Sequence, residues 1–187
     1  MNPYRNAATS APPDPLQAAL SLRAQGRRRE ALEAPSPPGE FDTNTYILRG
    51  DLQFELGQIE QAAETYLAVT GVDPNHVYAQ EQLGSCFCRL KLWDAACRAF
   101  EAVLRSDPNR DEVRLQLADC LICLRRFEAS LTCFDECWSE GARRRALFGK
   151  AVALQLLRRF DEAEKLYERL LALDLEYNSS NVIAVFN

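Results

Sequence analysis

Apolar residues recur at helical spacing along most of the chain, in paired segments separated by short polar turns. The clearest pair occupies residues 77–110 and carries one apolar stripe in each half: Leu83, Phe87 and Leu90 in the first, and Ala96, Phe100, Val103 and Leu104 in the second. Asp107-Pro108 ends the second segment, because proline cannot continue a helix and disfavours helical geometry in the residue before it. We therefore predict a helix hairpin. Neither helix can bury its stripe alone, so the hairpin needs neighbours.

The same pattern returns at a fixed interval on both sides of this hairpin. A step of 34 residues leads from Gly84, Ala96 and Phe100 back to Gly50, Ala62 and Tyr66, and forward to Ala118, Ser130 and Phe134; a further step of 33 reaches Ala151, Ala163 and Tyr167. A period of ~34 residues with a helix-turn-helix unit is typical of stacked-repeat architectures. The chain is thus predicted to be an array of similar hairpins.

These positions carry a family resemblance. The chain resembles the tetratricopeptide repeat (TPR) family in its small eighth and twentieth residues, its aromatic twenty-fourth residue and its terminal Asp-Pro, over about residues 43–177. The resemblance implies an all-α, right-handed α-solenoid of stacked antiparallel helix hairpins, with about four full repeats, an N-terminal degenerate helical unit and a partial C-terminal helix. Because the motif specifies packing rather than chemistry, it says little about the partner.

The organisation along the chain follows from these repeats. Residues 1–15 are predicted to be a disordered tail, 16–42 a degenerate helical unit or cap followed by a Pro-rich linker, and 43–76, 77–110, 111–143 and 144–177 the four repeats, with 178–187 a partial fifth repeat or end helix. Asp42 or Thr43 is expected to cap the first full helix. Gly141 is expected to end the third repeat, which lacks Asp-Pro.

The C-terminal segment 182–186 is apolar, with no later helix to cover it. We expect the chain to be a fragment of a longer array or multidomain protein. If Asn187 is the true terminus, this segment is expected to drive self-association.

Composition and charge limit the classes of partner and the cellular locations that we expect for this chain. The 187 residues carry a net charge of −5 with a pI of about 5.1, which disfavours nucleic acid and anionic membranes as partners. No apolar run approaches ~18 residues, and the N-terminus lacks the apolar core of a secretory signal. Seven cysteines without such a signal indicate a reducing compartment with free thiols, so a cytoplasmic location is predicted.

The cysteines invite a zinc hypothesis, which the repeat register does not favour. Cys86 and Cys120 occupy the same tenth slot of adjacent repeats, and Cys137 occupies the twenty-seventh; both slots usually hold alanine in the family. Buried cysteine behaves as a small apolar residue, and pairs inside helices are unlike zinc spacings. We predict no metal and no cofactor.

Other candidate chemistry is equally sparse. His76, the only histidine, is predicted to be a solvated turn residue. Arginine pairs at 125–126 and 158–159 follow first helices, where cations favour the negative pole of the helix dipole, whereas one arginine of the 143–145 cluster could reach the groove. With no phosphate loop, nucleophile elbow or acid/base pair, no catalytic residue is predicted.

The family resemblance places the functional surface on the first helices, at the second, fifth, ninth and twelfth positions of each repeat. Transferred to this chain, the predicted partner-binding groove comprises Asn44, Ile47, Asp51, Phe54, Tyr78, Glu81, Ser85, Cys88, Glu112, Leu115, Asp119, Ile122, Arg145, Phe148, Val152 and Gln155. Apolar residues facing a concave channel usually indicate a partner.

The side chains at the predicted groove positions indicate what kind of partner the groove binds. Family members that bind chaperone C-termini use a cationic clamp, and the corresponding residues here (Ile47, Asp51, Gln82, Glu112 and Gln116) do not supply one. The groove instead carries four carboxylates. We predict a non-catalytic scaffold that binds a protein or peptide segment with apolar anchors, at Tyr78 or Phe148, plus Lys or Arg. The alternatives are an N-terminal targeting domain of a larger glycosyltransferase- or methyltransferase-type enzyme, or a bacterial secretion chaperone.

Overall fold

The computed structural model describes residues 14–34 and 41–185, with side chains described as far as residue 173, and every regular element in these ranges is a helix. The chain divides into two compact units, residues 1–72 and 73–187. Unit 1 contains α1 (Pro15–Ala24), α2 (Arg28–Glu33), α3 (Thr43–Glu55) and α4 (Ile59–Val72). Unit 2 contains α5 (Val77–Arg89), α6 (Trp93–Ser106), α7 (Asp111–Cys123), α8 (Phe127–Asp135), α9 (Glu140–Leu156) and α10 (Phe160–Val185).

Consecutive helices pack as hairpins: α1 with α2, α3 with α4, α5 with α6, α7 with α8, and α9 with α10. In unit 2 successive hairpins also stack, since α6 packs on α7, α8 on α9, and α7 on α9. In unit 1 the short N-terminal hairpin packs on α3 through a core that includes Ala19, Ala31, Leu48 and Leu52. The predicted all-α fold of stacked helix hairpins is confirmed.

The small residue at the eighth position exists because an aromatic ring lies directly on the backbone there. A Cβ atom added at Gly50 would lie 2.7 Å from the Tyr66 ring, and one added at Gly84 would lie 2.5 Å from the Phe100 ring. Both rings are fully buried. The close approach of the two helices therefore fixes the periodic small and aromatic residues together.

Two residues after the end of each first helix in the described ranges, the chain passes through a residue with left-handed backbone geometry. These residues are Gly26, Gly57, Lys91, Arg125 and Arg158, with φ between 59° and 78°. The following amide then returns to the helix: Leu92 donates to the Phe87 carbonyl, and Arg126 to the Leu121 carbonyl, each at 2.8 Å. The first arginine of each pair after α7 and α9 thus occupies a turn position that favours glycine.

Two helix starts show how the local sequence sets the boundaries. Asp42 caps α3, its carboxylate accepting from the Thr45 amide at 2.9 Å, so the predicted cap is confirmed at Asp42. The sequence predicts a solvated turn residue at His76, but this prediction is wrong: His76 is half-buried, and its Nδ1 accepts from the Ala79 amide at 3.2 Å. The imidazole nitrogen of His76 thus caps the N-terminus of α5, a role usually filled by the side-chain oxygen of Ser, Thr, Asp or Asn.

The region between the third and fourth hairpins departs from the predicted register. The sequence predicts that Gly141 ends the third repeat, but α9 begins at Glu140 and contains Gly141, so this prediction is wrong. The fourth hairpin also has no turn at the predicted boundary after residue 177, because α10 continues to Val185.

Three predictions fall where the structure gives no description. Most of the N-terminal tail (residues 1–13) and the Pro-rich linker (residues 35–40) lie outside the described residues. So do the side chains of the apolar segment 182–186. Within the described ranges, no helix is both long enough and apolar enough to span a membrane.

Candidate functional site

An open cavity of about 640 Å³ lies in unit 2 between α7, α9 and α10. Its walls come mainly from the two first helices, which present successive turns toward the same space. The lining residues are Asp119, Ile122, Cys123, Arg144, Arg145, Phe148, Gly149, Val152 and Leu170. Five of the predicted groove residues (Asp119, Ile122, Arg145, Phe148 and Val152) are therefore brought together here.

The cavity is lined mainly by apolar surface, and its aromatic side chain, Phe148, rests against a second ring. Phe148 is 57% exposed although it is a large apolar residue. Its ring meets the Tyr167 ring edge-on, with centroids 6.3 Å apart. The Tyr167 hydroxyl donates to Gln155 Oε1 at 3.2 Å, which fixes the supporting ring. Phe148 thus offers a large, oriented apolar surface with little freedom to lose on binding.

The charged rim is tied together by one arginine. Arg145 on α9 forms an ion pair with Glu112 on α7, and its Nη2 lies 3.9 Å from Asp119 Oδ2. Desolvation by the cavity walls raises the pKa of Asp119; Arg145 opposes this change and Glu112 adds to it. The Asp119 side chain is 60% exposed. Of the two carboxylates, Asp119 therefore has the weaker ionic interaction with Arg145, and Glu112 has the stronger one.

The other two predicted groove carboxylates also have arginine partners within their own units. Glu81 pairs with Arg110 at 2.8 Å, and Asp51 pairs with Arg23 at 3.2 Å. The sequence therefore describes the predicted acidic groove incompletely, because arginines from neighbouring elements pair with its carboxylates. Such contacts are invisible to a transfer of first-helix positions alone.

The orientation of α9 depends on Asp111, which begins α7. Asp111 Oδ2 accepts from the backbone amides of Trp138 and Ser139, at 3.0 and 2.6 Å, while Oδ1 accepts from Arg114 at 3.0 Å. Burial raises the pKa of Asp111, but the hydrogen bonds from Ser139 and Trp138, together with Arg114, lower it overall. One buried carboxylate thus anchors the turn from which the cavity-lining helix starts.

The predicted groove residues divide between the two units and differ in exposure. Asn44, Tyr78, Glu112, Asp119, Arg145, Phe148 and Gln155 are exposed, whereas Ile47, Asp51, Phe54, Glu81, Ser85, Cys88, Ile122 and Val152 are half-buried. Asn44, Ile47, Asp51 and Phe54 belong to unit 1 and the rest to unit 2.

Leu115 is the exception, and its assignment to the groove is wrong. It is only 1% exposed and lies in a core with Ala118, Phe134, Ala142 and Ala146. Because α9 begins four residues before the predicted repeat start, its first turns cover α7 at this position. The early start converts a groove position into a core position.

Four cavity residues were not predicted: Cys123, Arg144, Gly149 and Leu170. Cys123 and Gly149 each follow a predicted position by one residue, so a wider stripe on the first helices would have included them. Leu170 comes from α10, a second helix, which the family rule leaves out. No sequence signal singles it out from the other leucines of that helix.

Thiols are also close to one another in this unit. The Sγ atoms of Cys88 on α5 and Cys120 on α7 are 3.2 Å apart. No group of three or more His, Cys, Asp or Glu side chains is arranged to hold a metal ion within the described part of the chain.

Comparison with known proteins gives two kinds of match. Two sequence profiles described as Tetratricopeptide repeat match residues 47–111 and 146–179. No curated protein sequence matches the chain significantly.

Solved structures of MamA resemble the fold over most of the chain. A MamA RS-1 ArsTM double mutant is 16% identical with a TM-score of 0.80, covering 87% of this chain and 94% of that one. MamA 41-end from Desulfovibrio magneticus RS-1 is 15% identical with a TM-score of 0.78, covering 86% and 93%. MamA MSR-1 is 19% identical with a TM-score of 0.74, covering 86% and 95%. At these identities the likeness is one of fold.

Proposed function

Since the chain belongs to the tetratricopeptide-repeat family, we propose that it is a non-catalytic interaction module that binds a segment of a partner protein in the cavity between α7, α9 and α10. The observation that carries this proposal is the exposed, oriented Phe148 ring beside Ile122, Val152 and Leu170. A large apolar side chain of the partner would be the main anchor. Interfaces commonly derive most of their affinity from a few such buried contacts.

Charge complementarity gives the partner segment a second feature. Asp119 lines the cavity and is 60% exposed, and its contact with Arg145 is long at 3.9 Å. A Lys or Arg beside the apolar anchor would find this carboxylate within reach. The partner motif we propose is therefore a large apolar residue with a neighbouring basic residue. The basic residue would contribute orientation and association rate more than affinity.

The thiol in the cavity supports binding rather than chemistry. Burial raises the pKa of Cys123, with the negative charges of Asp119 and Cys88 adding to the effect. A thiol with a raised pKa stays protonated near neutral pH and is a poor nucleophile. The remaining lining is apolar side chains, two arginines and one carboxylate, which suit recognition of a polypeptide.

The experiment is a selection of displayed peptides against the full chain, followed by fluorescence-polarisation measurement of the dissociation constants of the recovered sequences. Phe148→Ala is expected to weaken binding by roughly tenfold or more, the size of a hot-spot loss. Phe160→Ala is the matched control, since Phe160 is similarly exposed at 55% but does not line the cavity. Asp119→Asn is expected to weaken only peptides that carry Lys or Arg.

Two results would contradict the proposal. Equal losses for Phe148→Ala and Phe160→Ala would remove the cavity as the anchor site. Recovery of acidic and basic peptides in equal measure would remove the basic neighbour from the motif. A Tyr78→Ala variant tests whether a longer segment also contacts the start of α5, where Tyr78 is 40% exposed.

A further inference from the structure

Two thiols from successive hairpins of unit 2 are in direct contact. Cys88 on α5 and Cys120 on α7 have their Sγ atoms 3.2 Å apart, and each thiol is a possible hydrogen-bond donor to the other. They are 32 positions apart in sequence, and the whole of α6 lies between them. All seven cysteines of the chain lie in described residues and all are free.

Cys97 lies in the same core as Cys120, and Cys133 packs against that core; the remaining cysteines have different surroundings. Cys86 is fully buried, and the Cys137 thiol donates to the Cys133 carbonyl at 3.3 Å rather than to a second sulfur. Cys123 is exposed and lies one helical turn beyond Cys120. Repeat register alone explains Cys86 and Cys120 as small residues in the tenth slot, but it does not explain why Cys88 meets Cys120.

We propose that Cys88 and Cys120 form a peroxide-sensitive dithiol site that closes to a disulfide between α5 and α7. The two sulfur atoms already lie about one ångström beyond bonding distance, so a small shift of two side chains brings them together. The bond would join the first helices of two successive hairpins, beside the cavity that Cys123 and Asp119 line. This inference does not depend on the proposed partner.

The two thiols are unequal in a way that assigns their roles. The hydrogen bond with Cys120 lowers the pKa of Cys88, although burial and Asp119 oppose the change. The same hydrogen bond, with burial, raises the pKa of Cys120. Cys88 is also the more accessible of the two, since it is half-buried whereas Cys120 is only 1% exposed. Cys88 is therefore the nucleophile and Cys120 the resolving thiol.

The reaction balances with peroxide as the only added reagent. The Cys88 thiolate attacks one oxygen of hydrogen peroxide, the O–O bond breaks, and hydroxide leaves to become water, so that Cys88 becomes a sulfenic acid. The Cys120 sulfur then attacks the Cys88 sulfur, the S–O bond breaks, and the Cys120 proton joins the leaving hydroxide to form a second water. Two thiols are oxidised, and one peroxide is reduced to two waters.

The test uses the full chain treated with hydrogen peroxide, then denatured, alkylated and analysed by intact mass and peptide mapping without reduction. In the wild type, five of the seven thiols are expected to remain alkylatable, and the crosslinked peptide should contain Cys88 and Cys120. Cys88→Ser should abolish the crosslink. Cys120→Ser should stop the reaction at a sulfenic acid on Cys88, trapped by dimedone.

Cys137→Ser is the matched control, because the Cys137 thiol donates to the Cys133 carbonyl and a serine hydroxyl can do the same; its crosslinking rate should stay within roughly twofold of the wild type. The wild-type mapping needs no variant, so it remains decisive if a serine variant folds poorly. The proposal is overturned if peroxide leaves all seven thiols alkylatable, if the crosslink maps to Cys123, or if the disulfides form between chains in proportion to protein concentration.

Discussion

At the scale of single residues, Asp111 begins α7 and also anchors the turn that leads into α9. Both carboxylate oxygens are used, one by Arg114 and one by the amides of Trp138 and Ser139. Asp111→Asn leaves only one acceptor oxygen, so a buried donor loses its partner. We expect a loss of about 1–3 kcal/mol in the free energy of unfolding, measured by urea denaturation at neutral pH.

The pH dependence of this loss has a definite sign. The folded-state pKa of Asp111 is lowered, so its stabilisation is present above the ordinary carboxyl pKa of 3.8 and is lost as the pH falls through the lowered value. The wild type and Asp111→Asn should therefore converge in acid. Asp94→Asn serves as the control, because its ion pair with Arg126 is about 60% exposed on both sides and should cost under ~1 kcal/mol. A loss at Asp94 equal to that at Asp111 would contradict the anchoring role.

The turns after the first helices give a second residue-scale prediction. Lys91 and Arg125 have φ of 59°, a conformation that is strained for residues with a Cβ. Lys91→Gly and Arg125→Gly should each stabilise the protein by about 0.5–1 kcal/mol, since relief of strain exceeds the added freedom of the unfolded chain.

A glycine at an ordinary helical position should act in the opposite direction. Arg98 is exposed within α6, and Arg98→Gly should destabilise by about 1 kcal/mol. The sign of the change, read from urea midpoints at constant slope, separates the two classes of site. Destabilisation by all three substitutions would show that the left-handed turns carry no strain.

At the scale of the helix, α9 contains two glycines with opposite surroundings. A Cβ atom at Gly149 would lie 2.3 Å from the buried Phe134 ring, whereas nothing lies within 4 Å of one at Gly141. Gly149→Ala should therefore destabilise by about 1–3 kcal/mol through overpacking, while Gly141→Ala should stabilise by about 0.5–1 kcal/mol through helix propensity.

Thermal unfolding of both variants, followed by circular dichroism, checks this pair. The two substitutions add the same methyl group to the same helix, Gly141 in its first turn and Gly149 in its interior, so opposite signs would report the difference in packing. If Gly149→Ala proved as stable as Gly141→Ala, Phe134 would have to move freely, and α8 would not fix the position of α9.

The helices also show which parts of the fold can be predicted from the sequence and which cannot. Hairpins and their register in residues 43–135 follow from the sequence, because Gly50 and Gly84 report local contacts with rings 16 residues away. The start of α9 does not follow, since it is defined by hydrogen bonds that the Trp138 and Ser139 amides donate to Asp111, 27 and 28 residues away in sequence. Leu115 was misplaced for the same reason, and Leu170 was missed because a rule for first helices cannot reach a second one.

At the scale of the whole molecule, the net charge of −5 suggests an acidic surface that attracts basic partners. The structure modifies this picture, because the carboxylates predicted to line the groove are matched by arginines. Affinity for a partner segment should therefore depend on apolar contact first. The global field would act mainly on the rate of association, and it would be screened at physiological salt.

The balance between local and global charge can be tested by removing one arginine at two places. Arg145→Met releases Glu112 and Asp119 at the cavity rim, whereas Arg126→Met releases Asp94 away from it. Each variant makes the net charge more negative by one, so the global field changes equally.

For a selected peptide that carries lysine, Arg145→Met should tighten binding roughly threefold to tenfold at low salt and steepen its salt dependence. Arg126→Met should leave the dissociation constant nearly unchanged. Equal tightening in both variants, measured by fluorescence polarisation across a salt series, would assign the effect to net charge and remove Asp119 from the site.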